Sequence, residues 1–450
     1  MLLNALVAAA LSASLSPALR PLAADPSCET PPGLGSGSRL DACAPDDLRA
    51  LDDLRRVAAE VQGDLELLRE RSFDEPVKVE FADREWLDQA VRERWDQQRP
   101  AERVAFEEIS AKMLGMLPVG ASLREEELRL LEQSGSFFDS QADQLYVLEP
   151  VGDVSPLVVA AGLSEALNDQ HFEQEWGPID DEISDRRWVR EAVRSGSNIA
   201  LLLLWAFDNL EHAAVQEISR IQRSGSHSSL SDSPPYVWKP MLGLSMRAES
   251  FLRRSTRTNW ISPPRISDLD QVAQQRPLST EQILHPDKYW TGRRRDDPTP
   301  MQFNTCDLPV GWTLDYQDTL GEMILSVLTE PFGARRGVDP SLFGRSPLEL
   351  SSSPAAGWAG DRMALLQGDE GSIVHLVTAW DSPEDGAEFS TAVHAQCGDI
   401  LGNLDEMARP DQARGVRVAA GETGQVTVTA WMGPDEQLVD FVLAAVRVDA

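Results

Sequence analysis

Val158-Val159-Ala160-Ala161-Gly162-Leu163-Ser164-Glu165-Ala166-Leu167-Asn168-Asp169-Gln170-His171-Phe172 is the stretch whose reading decides the fold. It reads as one helix. Ser155 can cap it, and Pro156 suits its first turn, where a missing N–H is harmless. Ser122 with Glu125 forms a capping box for another helix at 123–133. Leu51, Leu54, Ala58, Val61, Leu65 and Leu68 follow a three-four spacing, which predicts a helix from Asp46 with one apolar stripe.

The tail Ala166-Leu167-Asn168-Asp169-Gln170-His171-Phe172 resembles the one that follows the zinc helix in a family of uncharacterised bacterial exported zincin-like metallopeptidases. There the helix runs His-Glu-x-x-His-Ala-Leu-Gln-Asp-Gln-His-Phe. On that pattern Ala161, Gly162 and Glu165 stand where the family has His, Glu and His. A zincin needs two imidazoles on one helix face and a glutamate to activate the metal-bound water. Ala161 has no ligand atom, Gly162 has no side chain, and one carboxylate at Glu165 does not make a zinc site. Ser195 in Ser195-Gly196-Ser197-Asn198 stands where the family's Glu-Gly-Asp-Ala pattern supplies a third ligand. The resemblance therefore implies a zincin-like scaffold with no metal, no cofactor and no catalytic set at these positions. Gly162 adds a physical expectation. Glycine inside a helix costs about 1 kcal/mol relative to alanine, so close packing by another segment would explain it.

The resemblance extends further. Gly135-Ser136-Phe137-Phe138-Asp139 and the strand Leu145-Tyr146-Val147-Leu148 are similar to the family's segments before its zinc helix. In zincins that strand borders the substrate cleft, and as an edge strand it can hold an extended peptide by main-chain pairing. Pro277-Leu278-Ser279-Thr280-Glu281-Gln282-Ile283-Leu284-His285-Pro286-Asp287-Lys288-Tyr289 resembles a second family motif, with Ser279 as helix cap. Glu281 and His285 sit four apart. They read either as an acid/base pair or metal ligands, with Glu165 or Asp169, or as hydrogen-bonding groups that tie this turn to the main helix. The structural reading is favoured. Gly357-Trp358-Ala359-Gly360-Asp361-Arg362 and Trp380-Asp381-Ser382 resemble the family's closing module.

The chain has 450 residues, with 41 basic against 73 acidic side chains and a net charge of -32. That balance argues against nucleic acid and anionic membranes as partners. Residues 1–18 are apolar and end in Ser16-Pro17-Ala18, which predicts a signal peptide and export to the periplasm, envelope or medium. No later run is long enough to span a membrane. Residues 19–45 read as a flexible leader. Four cysteines permit two disulfides, with Cys28–Cys43 and Cys306–Cys397 preferred on proximity.

The expected fold class is α+β, predominantly helical. A degenerate zincin-like domain at 46–329 leads through a linker at 330–356 to a small α+β module at 357–450, of ferredoxin-like type. In that module strands are expected at 373–380 and 425–431, and helices at 383–395 and 435–446. Three functions follow. The chain is an inactive pseudopeptidase that holds a peptide or protein in the former cleft, a hydrolase with a non-standard site at Glu165, Glu281 and His285, or a structural envelope protein.

Overall fold

The computed structural model describes residues 45–132, 134–149, 154–176, 183–209, 233–254, 265–291, 295–305, 308–331, 353–421 and 423–449. The expected signal peptide, almost all of the leader, most of the 330–356 linker, and Cys28, Cys43 and Cys306 lie outside those residues. The fold is α+β and predominantly helical.

Helix α1 (Pro45–Arg69) lays the stripe Leu54, Ala58, Val61 and Leu65 into the core, all four buried. Full burial of a large aliphatic side chain stabilises by about 1.5–3 kcal/mol, so packing rather than helix propensity holds α1 in place. Strand β1 (Lys78–Ala82) leads to α2 (Arg84–Gln98), α3 (Ala101–Met113) and α4 (Leu123–Leu131). Asp83 caps α2 by accepting from Trp86 N, and Ser122 caps α4 by accepting from Glu125 N.

Strands β2 (Ser136–Asp139) and β3 (Gln144–Leu148) complete a three-stranded sheet of order β1-β3-β2. β1 runs parallel to β3 and β2 antiparallel to it. This order corrects the expectation of an open edge beside the main helix. β3 is the central strand, paired to β1 on one side and to β2 on the other, so its main chain is not free to add a peptide.

The main helix, α5 (Pro156–Trp176), and α6 (Ser184–Asn209) pack on each other and on α1. Ser155 Oγ accepts from Val158 N at 3.5 Å, the cap expected for α5. After α7 (Pro235–Trp238) and a π-helical turn at Lys239–Gly243, α8 (Leu244–Leu252) packs closely along α6. Then come α9 (Ile266–Gln274), α10 (Thr280–Leu284) and α11 (Pro286–Trp290). Ser279 caps α10, accepting from Gln282 N at 3.3 Å, and Pro286 opens α11.

The C-terminal unit begins earlier than residue 357. β4 (Gln302–Thr305) and β5 (Trp312–Asp318) precede α12 (Gly321–Leu328), β6 (Trp358–Gly368), β7 (Gly371–Trp380) and α13 (Pro383–Met407). β8 (Ala413–Ala420), β9 (Val426–Gly433), α14 (Glu436–Leu443) and β10 (Val446–Asp449) close the chain. An antiparallel sheet of order β5-β6-β7-β9-β8 is backed by α13, and β10 pairs with β4 instead of joining it. One apolar cluster runs from Leu54 through Leu145, Leu163, Phe251, Met323 and Trp358 to Ala430, so the helical part and the sheet share a core. Cys397 on α13 is a free thiol that donates to Val393 O; its expected partner Cys306 lies outside the described residues. Among the described residues no helix is long and apolar enough to cross a membrane.

Three buried aspartates hold helix starts to neighbouring elements, and Asp318 joins the two parts. Asp185 accepts from Thr280 N at 3.1 Å and Thr280 Oγ1 at 2.5 Å, at the start of α10. Asp318 accepts from Ser184 N at 2.7 Å, at the start of α6, and from Tyr316 OH at 2.6 Å. Asp361 accepts from Leu320 N and Gly321 N, both at 2.8 Å, at the start of α12, and from Trp358 Nε1 at 3.0 Å. Each carboxyl thus meets the otherwise unsatisfied N–H groups of another element's helix. Burial outweighs these bonds, pushing the Asp185 carboxyl up to about 8 and Asp361 up to about 7, and raising Asp318 as well. Gly321 has φ +75°, and a Cβ there would lie 1.8 Å from Asp185 Oδ1, so glycine serves both the backbone and the space.

Candidate functional site

Ala161, Gly162 and Glu165 lie on the part of α5 that meets β3. Leu145 of β3 covers Gly162: a Cβ at 162 would stand 2.4 Å from Leu145 Cδ1 and 3.0 Å from Cδ2. Leu145 is fully buried, so it cannot swing into solvent to make room. The position that would carry a zincin's glutamate is therefore filled by another strand's side chain. Ala161 is half-buried against the core.

Glu165 is 3 % exposed, and the cation near it comes from the chain itself. Arg94 of α2, also buried, donates to Asp139 Oδ1 at 3.3 Å and lies 5.6 Å from the Phe137 ring centroid. Burial lowers the Arg94 pKa. The carboxylates of Asp139, Asp169 and Glu165 act in the opposite direction, and Arg194 adds repulsion. The guanidinium is fixed on Asp139 and partly offsets the charge of Glu165 and Asp169.

Ser195 does not face this group. Its hydroxyl donates to Glu191 O at 2.5 Å within α6 and lies 2.7 Å from Ser245 Oγ of α8. The adjacent Gly196 explains the approach, since a Cβ there would sit 2.7 Å from Ala248 Cβ. Asn198 of α6 does reach α5, its Oδ1 accepting from Asn168 Nδ2 at 2.6 Å. The rest of the α5 tail pins the segment before β1. Gln170 Oε1 accepts from Asp74 N at 2.8 Å, Gln170 Nε2 donates to Glu75 O at 3.0 Å, and His171 Nε2 lies 2.8 Å from Ser72 O.

Glu281 and His285 have separate partners, and neither partner is on α5, where they were expected to attach. Lys288 Nζ donates to Glu281 Oε1 at 2.5 Å, to Asp381 Oδ2 at 2.6 Å, and pairs with Asp296 Oδ2 at 2.9 Å. The three carboxylates offer oxygens within 4.8 Å of one another, the spacing of a cation site, and the Lys288 ammonium is bonded to all three. Burial pushes the Glu281 carboxyl up to about 8 against the pull of Lys288, with Glu322 and Asp381 adding to the rise. Burial also works against the ammonium, but Asp381, Glu281 and Asp296 outweigh it and raise the Lys288 pKa. His285 Nε2 lies 2.9 Å from Oε1 of the fully buried Glu322 on α12. Arg247, whose Nη2 donates to Leu284 O at 2.8 Å, also acts on Glu322. The second motif thus links α10 to α12 through His285 and to the end of β7 through Lys288 and Asp381. Lys288, Arg94 and the three buried aspartates were not singled out from the sequence. Lys288 and Asp381 do lie inside two of the quoted motifs.

A cleft of about 380 Å³ opens elsewhere, between the start of α3 and strands β5 and β6. Glu102, Arg103, Phe106, Asp315, Tyr316 and Arg362 are among its lining residues. A family model described as "Domain of unknown function (DUF8575)" matches residues 312–443, from the start of β5 to the end of α14. No curated protein and no solved structure matches the chain.

Proposed function

We propose that the chain is a catalytically inactive zincin-like protein, an exported pseudopeptidase that serves as a binding or regulatory scaffold. The observation that carries this reading is Leu145 seated on Gly162, at the place of the missing glutamate. Arg94 supports it, because this buried guanidinium supplies positive charge to Glu165 and Asp169 from the chain itself. The β-α-β-β-α-β connectivity from β7 to β10 supports a ferredoxin-like reading of the C-terminal unit, with its last strand paired to β4. Since β3 is paired on both sides, the reading seats a peptide or protein partner on a face other than the former cleft.

The test is a repair series on the full chain. Ala161→His, Gly162→Glu and Glu165→His together are expected to bind zinc only when Leu145→Ala is added, because Leu145 occupies the space of the new glutamate; Ser195 faces α8 and is left unchanged. Hydrolysis by the unmodified protein on a broad peptide and ester panel, lost in Glu165→Gln, would overturn the proposal.

A further inference from the structure

The cleft between α3 and the β5–β6 edge of the sheet is lined by two cations, Arg103 and Arg362, and two anions, Glu102 and Asp315. None of the four has an opposite charge within ion-pair distance among the described residues, in a chain where most described arginines are paired; Arg103 acts on the buried Glu107 from further away. Arg103 Nη2 is shut off from solvent without a hydrogen-bond partner. Arg362 Nε has only the neutral Gln317 Oε1, at 3.3 Å. Phe106 and Tyr316 stack across the cleft with centroids 6.1 Å apart, and Leu314 adds an apolar wall.

The backbone of β5 is shaped at this point. Its pairing with β6 shifts register between Leu314 and Tyr316, which makes Asp315 the extra residue of a β-bulge. Bulges re-aim side chains and gather beside functional sites. The volume falls within the usual range of small-molecule pockets.

An anion alone would meet Glu102 and Asp315, and a cation alone would meet Arg103 and Arg362. A ligand with both charges satisfies both pairs, and mismatched charge is what such a wall rejects. We propose that this cleft binds a small zwitterion, an amino acid or dipeptide. Its carboxylate is held by Arg103 and Arg362, its ammonium by Asp315 and Glu102, and its side chain against Phe106 and Tyr316. The site lies apart from the α5 face, so the proposal stands or falls independently of the pseudopeptidase reading.

The experiment is calorimetric titration of the full chain with phenylalanine and Ala-Phe, beside their amidated and N-acetylated forms. Binding of a free form is expected, weakened about tenfold or more by either blocking group and by Arg362→Gln. The exposed Asp315→Asn should weaken the free and amidated forms, which carry the ammonium, and spare the N-acetylated form. Unchanged thermal unfolding of Asp315→Asn keeps the result interpretable if Arg362→Gln misfolds. No binding at millimolar ligand, or equal binding of free and blocked forms, would overturn the proposal.

Discussion

Leu145 on β3 packs onto Gly162 on α5 so closely that a Cβ at 162 would stand 2.4 Å from its Cδ1. This contact reverses the usual effect of a helix glycine. Gly162→Ala would gain about 1 kcal/mol in helix propensity, but overpacking a filled core costs about 1–3 kcal/mol. Net destabilisation is expected in urea unfolding, with Leu145→Ala in the same chain relieving part of it. A more stable Gly162→Ala protein would show that the space above Gly162 is open.

Lys288 holds three carboxylates, and only Glu281 among them is deeply buried. Stranding one partner of a buried pair costs 3–5 kcal/mol, and Asp296 and Asp381 can rehydrate, so Lys288→Met should lose about 3 kcal/mol. Glu281, pushed up to about 8, takes up its proton as pH falls. The loss should therefore be smaller at pH 5.5 than at pH 8. Equal loss at both values would argue against Glu281 as the group that needs the lysine.

The aspartates at the centre of the fold give stability a pH dependence of unusual sign. An acid whose folded pKa is raised stays protonated in the folded chain after the unfolded chain has ionised. Its contribution is full below the ordinary value of 3.8 and is lost as pH rises through the folded value, about 8 for Asp185 and about 7 for Asp361. Unfolding free energy should fall from pH 5 to pH 8.5, by at most about 1.4 kcal/mol per pH unit for each proton involved. Asp185→Asn should flatten the slope. Stability that rises over this range would contradict the assignment.

Gly321→Ala probes the same junction through the backbone. Residue 321 has φ +75°, and its Cβ would overlap Asp185 Oδ1. Strain alone costs about 1–3 kcal/mol. Addition of Asp185→Gly should recover part of the loss, and no recovery would place the strain elsewhere.

Local chemistry was legible in the sequence where a residue acts on its own neighbours. The caps at Ser122, Ser155 and Ser279 and the stripe on α1 are short-range features, and they stand as read. β5 was not read as a strand, because its inward positions Trp312, Tyr316 and Asp318 include a polar residue and Gly321 follows closely. α13 extends to Met407 rather than ending at 395, through Gly398 and Gly402, each costing about 1 kcal/mol relative to alanine without ending the helix.

The site was less legible for the same reason. That Ala161, Gly162 and Ser195 carry no imidazole or carboxylate could be read, but not what surrounds them. Arg94 acts on Glu165 and Asp169 from a helix distant in sequence, and Lys288 reaches Asp381 across 93 positions. The central place of β3 depends on β1, whose partner no local pattern identifies.

The most direct test of the closed α5 site is elemental analysis of the purified, dialysed full chain after incubation with zinc. Zinc indistinguishable from the dialysis buffer is the result the pseudopeptidase proposal predicts, because Leu145 fills the space over Gly162 and Arg94 acts on Glu165 and Asp169. Stoichiometric zinc that is lost in Glu165→Gln would contradict it.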